Sequence, residues 1–351
     1  MLAAMPAPRV PSLAAALPGD GLVQRLTIRD VAALAQVSVA TVSRYVNGKQ
    51  RFTPEVERRI ADAIAGTGYH AHPVARSMST GRSGAVAALV AGVGSPQAAA
   101  LVKGLCRVAL AEGQDLICVD PLNGDSPLRE LDRVLAMQVD GLVIAAPLPP
   151  EAAARLAQQR RPVVDLGASS FPASGQDSQA DAGALLVRQL AATGHRRFAF
   201  LACADEPDSP ARLRGVQEAL CDAGLPAAVL HHAQHATAEA GAAAASALLL
   251  ARDRPDAVIA CNDPLAMGVL SEARRLGVAV PDQVSVTGIG NMPFGRYLSP
   301  PLSSVELHAD SLGAAAMTQL LAAVRGLPMA PGPLRVAPPQ LVLRGSTRSR
   351  A

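Results

Sequence analysis

Tryptophan is absent from the 351 residues, and there are only five phenylalanines and three tyrosines. So few rings leave little for stacking against a flat ligand. The five cysteines (Cys106, Cys118, Cys203, Cys221, Cys261) are scattered with no C-x-x-C pair, which argues against a disulfide framework or a zinc ribbon. The expectation is buried, reduced thiols in a cytoplasmic protein. No apolar run reaches the length of a membrane span, so no membrane partner is expected. The first 24 residues are rich in Ala, Pro and Leu but lack the basic start and long apolar core of a signal peptide. They read as a disordered extension, or as a start codon assigned too early. There is no G-x-S-x-G elbow, no Walker A and no complete dinucleotide fingerprint; Gly92-Val93-Gly94 is only a fragment of one. His231, His232 and His235 cluster without a Cys or carboxylate at ligand spacing, and read as a solvated loop. Asp205, Glu206 and Asp208 read the same way. No catalytic residue, metal or cofactor is expected.

What is present is uneven charge. Residues 1–82 hold ten Lys/Arg against five Asp/Glu, while the rest is slightly acidic. A basic head on a near-neutral body fits nucleic acid at one end only. Within that head, the stretch from Thr27 to Asn47 reads as two short helices joined by a tight turn. Asp30 to Gln36 has helical periodicity, and Ser38 caps a second helix from Val39 to Asn47. Val31, Ala32, Leu34, Val37, Val42 and Val46 form the expected core between them. Asn47-Gly48 ends the second helix. Thr53, Pro54 and Glu57 open a third, which runs to Gly66 or Gly68. This is the layout of a helix-turn-helix that lays its second helix in the DNA major groove.

Tyr69 to Gly84 reads as a connector, with a short helix after Pro73. Beyond it, short apolar runs recur at Ala85–Ala91, Leu116–Val119, Gly141–Ala145, Val163–Leu166, Phe198–Leu201, Ala257–Ala260 and Val284–Gly288. Alanine-rich helical stretches separate them. That alternation predicts parallel sheets covered on both faces, in two lobes for this length. Leu341-Val342-Leu343 reads as a last strand.

These residues resemble the LacI/GalR family of bacterial transcriptional regulators, over about residues 26–347. The match is densest in T-I-x-D-V-A-x-x-A-x-V-S-x-A-T-V-S-R-x-x-N from Thr27 to Asn47. Weaker markers follow at Val139-Asp140-Gly141, Gly194-His195-Arg196-Arg197, Arg212-Leu213-Arg214-Gly215, Asn262-Asp263, Val280-Pro281-Asp282 and Ser299-Pro300-Pro301-Leu302. The resemblance implies an α plus α/β protein: a helix-turn-helix head, a hinge helix and a two-lobed periplasmic-binding-protein-like body. The implied segments are a disordered extension over 1–24, the DNA-binding domain over 25–69 and the hinge helix and linker over 70–84. An effector-binding and dimerisation body follows over 85–347, with lobe crossovers near 175–180, 306–309 and 336–340. The implied partners are a pseudo-palindromic double-stranded operator, a small-molecule effector and a second copy of the chain. A dimer fits better than a tetramer, because the tail after Gly345 is too short and polar for a coiled coil.

Arg44 is the expected reader of guanine O6 and N7. Val39 and Ala40 begin the same helix, where the resemblance implies base-edge contact, here apolar. Thr27, Ser38, Thr41, Ser43, Asn47, Arg51, Thr53 and Tyr69 are candidates for positioning contacts to DNA. Ser38 also reads as a helix cap, and Tyr69 equally as packing under the third helix. In the hinge, Met78 stands where leucine is usual as the lever between base steps, with Ala75 and Arg76 beside it. An ordinary contact within the connector is the alternative for Met78.

For the body, Ser95, Arg212, Asp263, Gly290 and Asn291 are the effector-binding candidates, in a cleft at the carboxyl ends of the strands. Arg212 also reads as a surface arginine, and Asp263 as a helix N-cap. Ser178-Gln179 replaces the usual Asp-Asn, Ala236 stands where an aromatic is common, and Gly288-Ile289-Gly290-Asn291 lacks the usual carboxylate. An arginine kept while a carboxylate is lost favours an anion such as a sugar acid; a neutral sugar stays open. The rival classes are an α/β enzyme and a binding protein carrying an appended DNA-binding head.

Overall fold

The computed structural model describes residues 27–46, 50–67, 82–122, 126–166, 178–329, 334 and 336–348. The chain divides into two compact units, Met1–Gly81 and Arg82–Ala351. The extension over 1–24, Asn47, Tyr69, Ala75, Arg76 and Met78 lie outside the described residues.

The first unit holds helices α1 (Ile28–Leu34), α2 (Val39–Val46) and α3 (Pro54–Thr67). At the start of α1 the Asp30 carboxylate accepts from the Thr27 N–H (2.7 Å) and hydroxyl (2.8 Å). Those bonds, the backbone one first, hold the Asp30 carboxyl below its ordinary range. Pro54 occupies the first turn of α3, where a missing N–H costs nothing, and Glu57 accepts from the Phe52 N–H at 3.0 Å. Between α1 and α2 the turn places Gln36 at φ 49°, in the left-handed region. Arg59 of α3 secures that turn by donating to the Ala35 and Gln36 carbonyls. Val31, Ala32, Ala35, Val42, Ile60 and Ala63 form the buried core. Leu34, expected there, is instead 64% exposed. Helix α1 starts at Ile28 rather than Asp30, and the inward stripe is Ile28, Val31, Ala32 and Ala35, which leaves Leu34 on its flank.

The second unit holds two four-stranded parallel sheets. The first runs β2 (Asp115–Val119), β1 (Ala85–Val90), β3 (Leu142–Ala145), β4 (Val163–Asp165). The second runs β6 (Val229–Ala233), β5 (Phe198–Cys203), β7 (Ala257–Ala260), β8 (Ser285–Thr287). Strand β1 shows why the runs are apolar throughout. Val86, Ala88 and Val90 enter one core while Ala87 and Leu89 enter another on the opposite face. A parallel sheet covered on both faces has no polar side to alternate with. Helices α4 (Pro96–Ala111), α5 (Pro127–Ala136) and α6 (Pro150–Ala157) connect the first set; α7 (Ser178–Ala192), α8 (Ser209–Asp222), α9 (Ala238–Leu250) and α10 (Asp263–Arg275) serve the second. Helix α11 (Ala309–Val324) returns to pack on α4, and β10 (Gln340–Val342) pairs antiparallel with β9 (Ser304–Glu306).

Three helix pairs approach through reciprocal glycines. A Cβ on Gly104 would lie 2.0 Å from the Asp310 carbonyl oxygen, and one on Gly313 2.1 Å from that of Leu101. Gly183 and Gly215 do the same for α7 against α8, and Gly241 and Gly268 for α9 against α10. Strands β6 and β9 were not anticipated. His231 and His232 therefore lie on an edge strand rather than in a loop. The cysteine expectation is corrected in part: all five thiols are free, but only Cys203 and Cys261 are buried. Burial pushes the Cys261 thiol up to about 12. No described helix is long and apolar enough to cross a membrane.

Candidate functional site

In the first unit, α2 turns Val42 inward, with Tyr45 and Val46 packed against the same core. The opposite face exposes Val39 (42%), Ala40 and Arg44, while Thr41 and Ser43 are half-buried. The Ser38 hydroxyl accepts from the Thr41 N–H at 3.0 Å and meets the Thr41 hydroxyl at 2.8 Å, so Ser38 caps α2. Arg44 donates to the Gln50 side-chain carbonyl at 3.3 Å. Gln50 was missed from the sequence, since nothing in its spacing marks it. Thr27, Arg51 and Thr53 are exposed. The result is an exposed face that runs from apolar Val39 and Ala40 at the amino end of α2 to Arg44 in its last turn.

In the second unit, a cavity of about 50 Å³ lies between the sheets, at the carboxyl ends of β1, β2, β5 and β6. One wall comes from Val90 to Gly92, Ser95, Gln97, Ala98, Leu101 and Leu122; the other from Asp205 to Asp208 and Ala236. No aromatic ring is among the lining residues. Ser95 is the one sequence candidate on this wall, where its hydroxyl also caps α4.

Arg212 is fully buried behind the cavity and joins its two sides. Its Nε donates to the Gln179 side-chain carbonyl (2.7 Å), its Nη2 to that of Gln97 (2.8 Å), and its Nη1 to the Cys261 carbonyl. Two carboxylates flank the guanidinium: Glu206 at 3.6 Å and Asp208 at 3.7 Å. Glu206 also accepts from the Asn262 amide at 3.1 Å. This corrects the solvated-loop reading, because Glu206 and Asp208 are only 6% and 4% exposed. Asp205, half exposed, pairs with His235 at 2.9 Å. The premise of an uncompensated Arg212 is corrected too. Gln97, Gln179, Glu206 and Asp208 are the cleft residues the sequence reading did not assign. Their signal was the R-x-x-G arginine, which must find acceptors once buried.

Asp263, Gly290 and Asn291 line no part of this cavity. Both Asp263 oxygens are occupied, by the Ser304 hydroxyl (2.6 Å) and the Met292 N–H (2.5 Å). Burial pushes its carboxyl up, and those two hydrogen bonds pull it partly back. It pins the 288–292 loop to β9, while the cap of α10 is Asn262. Asn291 is spent likewise, donating to Glu306 (2.9 Å) and accepting from Arg344 (2.6 Å). Gly290 brings its backbone close to Gln97; a Cβ there would stand 3.4 Å from Gln97 Nε2. Among the described residues no group of three His, Cys, Asp or Glu could hold a metal ion.

Comparison with known proteins agrees with both halves. Residues 27–72 match the family described as bacterial regulatory proteins, lacI family, and residues 187–347 match a periplasmic binding protein-like domain. The chain is 30% identical over 305 residues to catabolite control protein A of Priestia megaterium, covering 84% of this chain and 91% of that one. It is 28% identical over 334 residues to the HTH-type transcriptional repressor CytR of Escherichia coli K12, covering 92% and 96%. A lac repressor dimer bound to operator and the anti-inducer ONPF shares the fold with a TM-score of 0.81 at 23% identity, over 92% of this chain and 99% of that one. The exposed face of α2 in the first unit and the cleft in the second thus belong to a DNA-binding transcriptional regulator, and the chain is a member of the LacI family.

Proposed function

We propose that the chain is a repressor that binds a pseudo-palindromic operator as a homodimer and is controlled by a small molecule held between its lobes. The observation that carries this is the pairing of an outward Val39-Ala40-Arg44 face with a cleft walled from both sheets. The lac repressor likeness, a dimer on its operator, supports the dimer and the palindrome. On the DNA, Arg44, Val39 and Ala40 read bases. Thr27, Ser38, Thr41, Ser43, Asn47, Arg51, Thr53 and Tyr69 hold the backbone, and Ala75, Arg76 and Met78 enter the minor groove. The working division is 25–69 for the head, 70–84 for the hinge and 85–347 for the body. In the body, Ser95 and Gln97 from one lobe and Glu206 and Asp208 from the other hold the effector, with Arg212 behind them positioning Gln97.

Control follows from population shift. Gln97 and Arg212 join the lobes directly, so a ligand that separates or tightens them changes the lobe arrangement, and equal affinity for both arrangements changes nothing. The protein acts in the cytoplasm and catalyses no reaction; it returns its ligand unchanged. The test is operator affinity by fluorescence anisotropy, with and without a metabolite mixture. A change in affinity with recovery of unaltered ligand supports the reading. An affinity that no small molecule alters refutes the control step, and a consumed ligand refutes the non-enzymatic role.

A further inference from the structure

We infer that the cleft rejects anions, and that its effector is an uncharged or cationic molecule rich in hydrogen-bond donors. The inference rests on the cleft being the effector site. A buried arginine close behind a pocket ordinarily draws a carboxylate or phosphate toward it. Here that pull is already answered. Among the described residues two buried carboxylates, Glu206 and Asp208, stand against the guanidinium of Arg212, while Asp205 on the same wall is half exposed and paired with His235. The carboxylates outnumber the cation, so an incoming anion meets like charge in a site that water screens poorly.

The hydrogen-bonding inventory points the same way. Glu206 and Asp208 line the cavity and are acceptors only when ionised, so they ask the ligand for donors such as hydroxyl or ammonium groups. The lone open donor found on a buried side chain of the wall is Gln97 Nε2. It has no hydrogen-bond partner although the residue is only 8% exposed, while the side-chain oxygen accepts from Arg212. One acceptor on the ligand, a hydroxyl or ring oxygen, satisfies it. Apolar Val90, Ala98, Leu101, Leu122 and Ala236 supply the rest of the wall without stacking.

The experiment compares the full wild-type chain with the double variant Glu206→Gln/Asp208→Asn, which keeps both side-chain shapes and removes both charges. The first probe is inorganic phosphate, read by thermal unfolding and calorimetry against chloride at equal ionic strength. Wild type should gain nothing from phosphate. The double variant leaves Arg212 buried and uncompensated, so it should melt earlier, recover with phosphate, and bind it about tenfold or more tightly than wild type. Equal phosphate binding by the two proteins overturns the inference. Should the double variant not fold, Glu206→Gln alone is compared in the same way. The second probe is a matched set on one skeleton, D-glucosamine, D-glucose and D-glucuronate, added to wild type. Glucuronate as the weakest of the three supports the inference, and glucuronate as the strongest overturns it. Failure here is distinct from failure of the control reading, because the phosphate arm reports charge selection whether or not any ligand moves the operator affinity.

Discussion

Arg44 and Arg212 are both arginines in family motifs, and their surroundings give them opposite tasks. Arg44 lies on an exposed helix face, and among the described residues it donates to Gln50, so its fork is available to a base. Replacing it with Ala should cost about 1–3 kcal/mol on the cognate operator and relax specificity at one base pair per half-site. Binding to a panel of single-base operator variants checks this; an equal loss on every sequence contradicts base reading. Arg212 is sealed, and its part was only half legible in the sequence. The motif marks the arginine, but its amide acceptors, Gln179 and Gln97, come from 33 and 115 residues away, where no local pattern points to them. Asp263 misled for the converse reason: its motif position is real, but loop and strand consume both of its oxygens. Glu272 offers a residue-scale test of pH. Hydrogen bonds from Arg275 (2.6 and 2.7 Å) and from Ser246 pull its carboxyl down to about 2 from the ordinary 4.5. The folded value lies below the unfolded one, so the stabilisation is present above about 4.5 and fades as pH falls toward 2. Glu272→Gln should therefore melt below wild type at pH 7, with the gap closing over that window. A gap that stays constant down to pH 3 contradicts the ion pair.

At the scale of elements, the helices of the head and the central strands were readable because their signals are local: caps, a proline at a first turn, unbroken apolar runs. Strand β6 was not, because two histidines on an edge strand look like loop chemistry, and half of that strand faces solvent. The glycine pairs were also hidden, since a glycine in a helix reads as a weakness until the partner helix is in place. Gly215 is the sharpest case. A Cβ there would stand 1.8 Å from the Ala180 carbonyl oxygen, so α7 and α8 must part to accept it. Gly215→Ala should cost roughly 2 kcal/mol or more, lowering the melting temperature and loosening the helix that carries Arg212. Denaturant unfolding measures it; a variant as stable as wild type contradicts the close approach. In the head, Ile60 closes a core of few residues and is fully buried. Ile60→Ala should remove about 2–5 kcal/mol from a unit with little to spare. DNA binding should fail while the body still unfolds at its wild-type temperature; parallel loss of both contradicts the independence of the two units.

At the scale of the molecule, a basic head ahead of a near-neutral body was plain from charge and motif alone. Which small molecule governs it was not, because ligand selection is set by a few side chains brought together from loops of both lobes. The most direct measurement is selection of bound duplexes by the full chain from a random DNA pool at low salt, repeated with a metabolite mixture. Enrichment of one motif with two inverted half-sites, and a change in its recovery when the mixture is present, is the expected result. A pool that emerges unenriched contradicts the assignment of α2 as a reader of DNA.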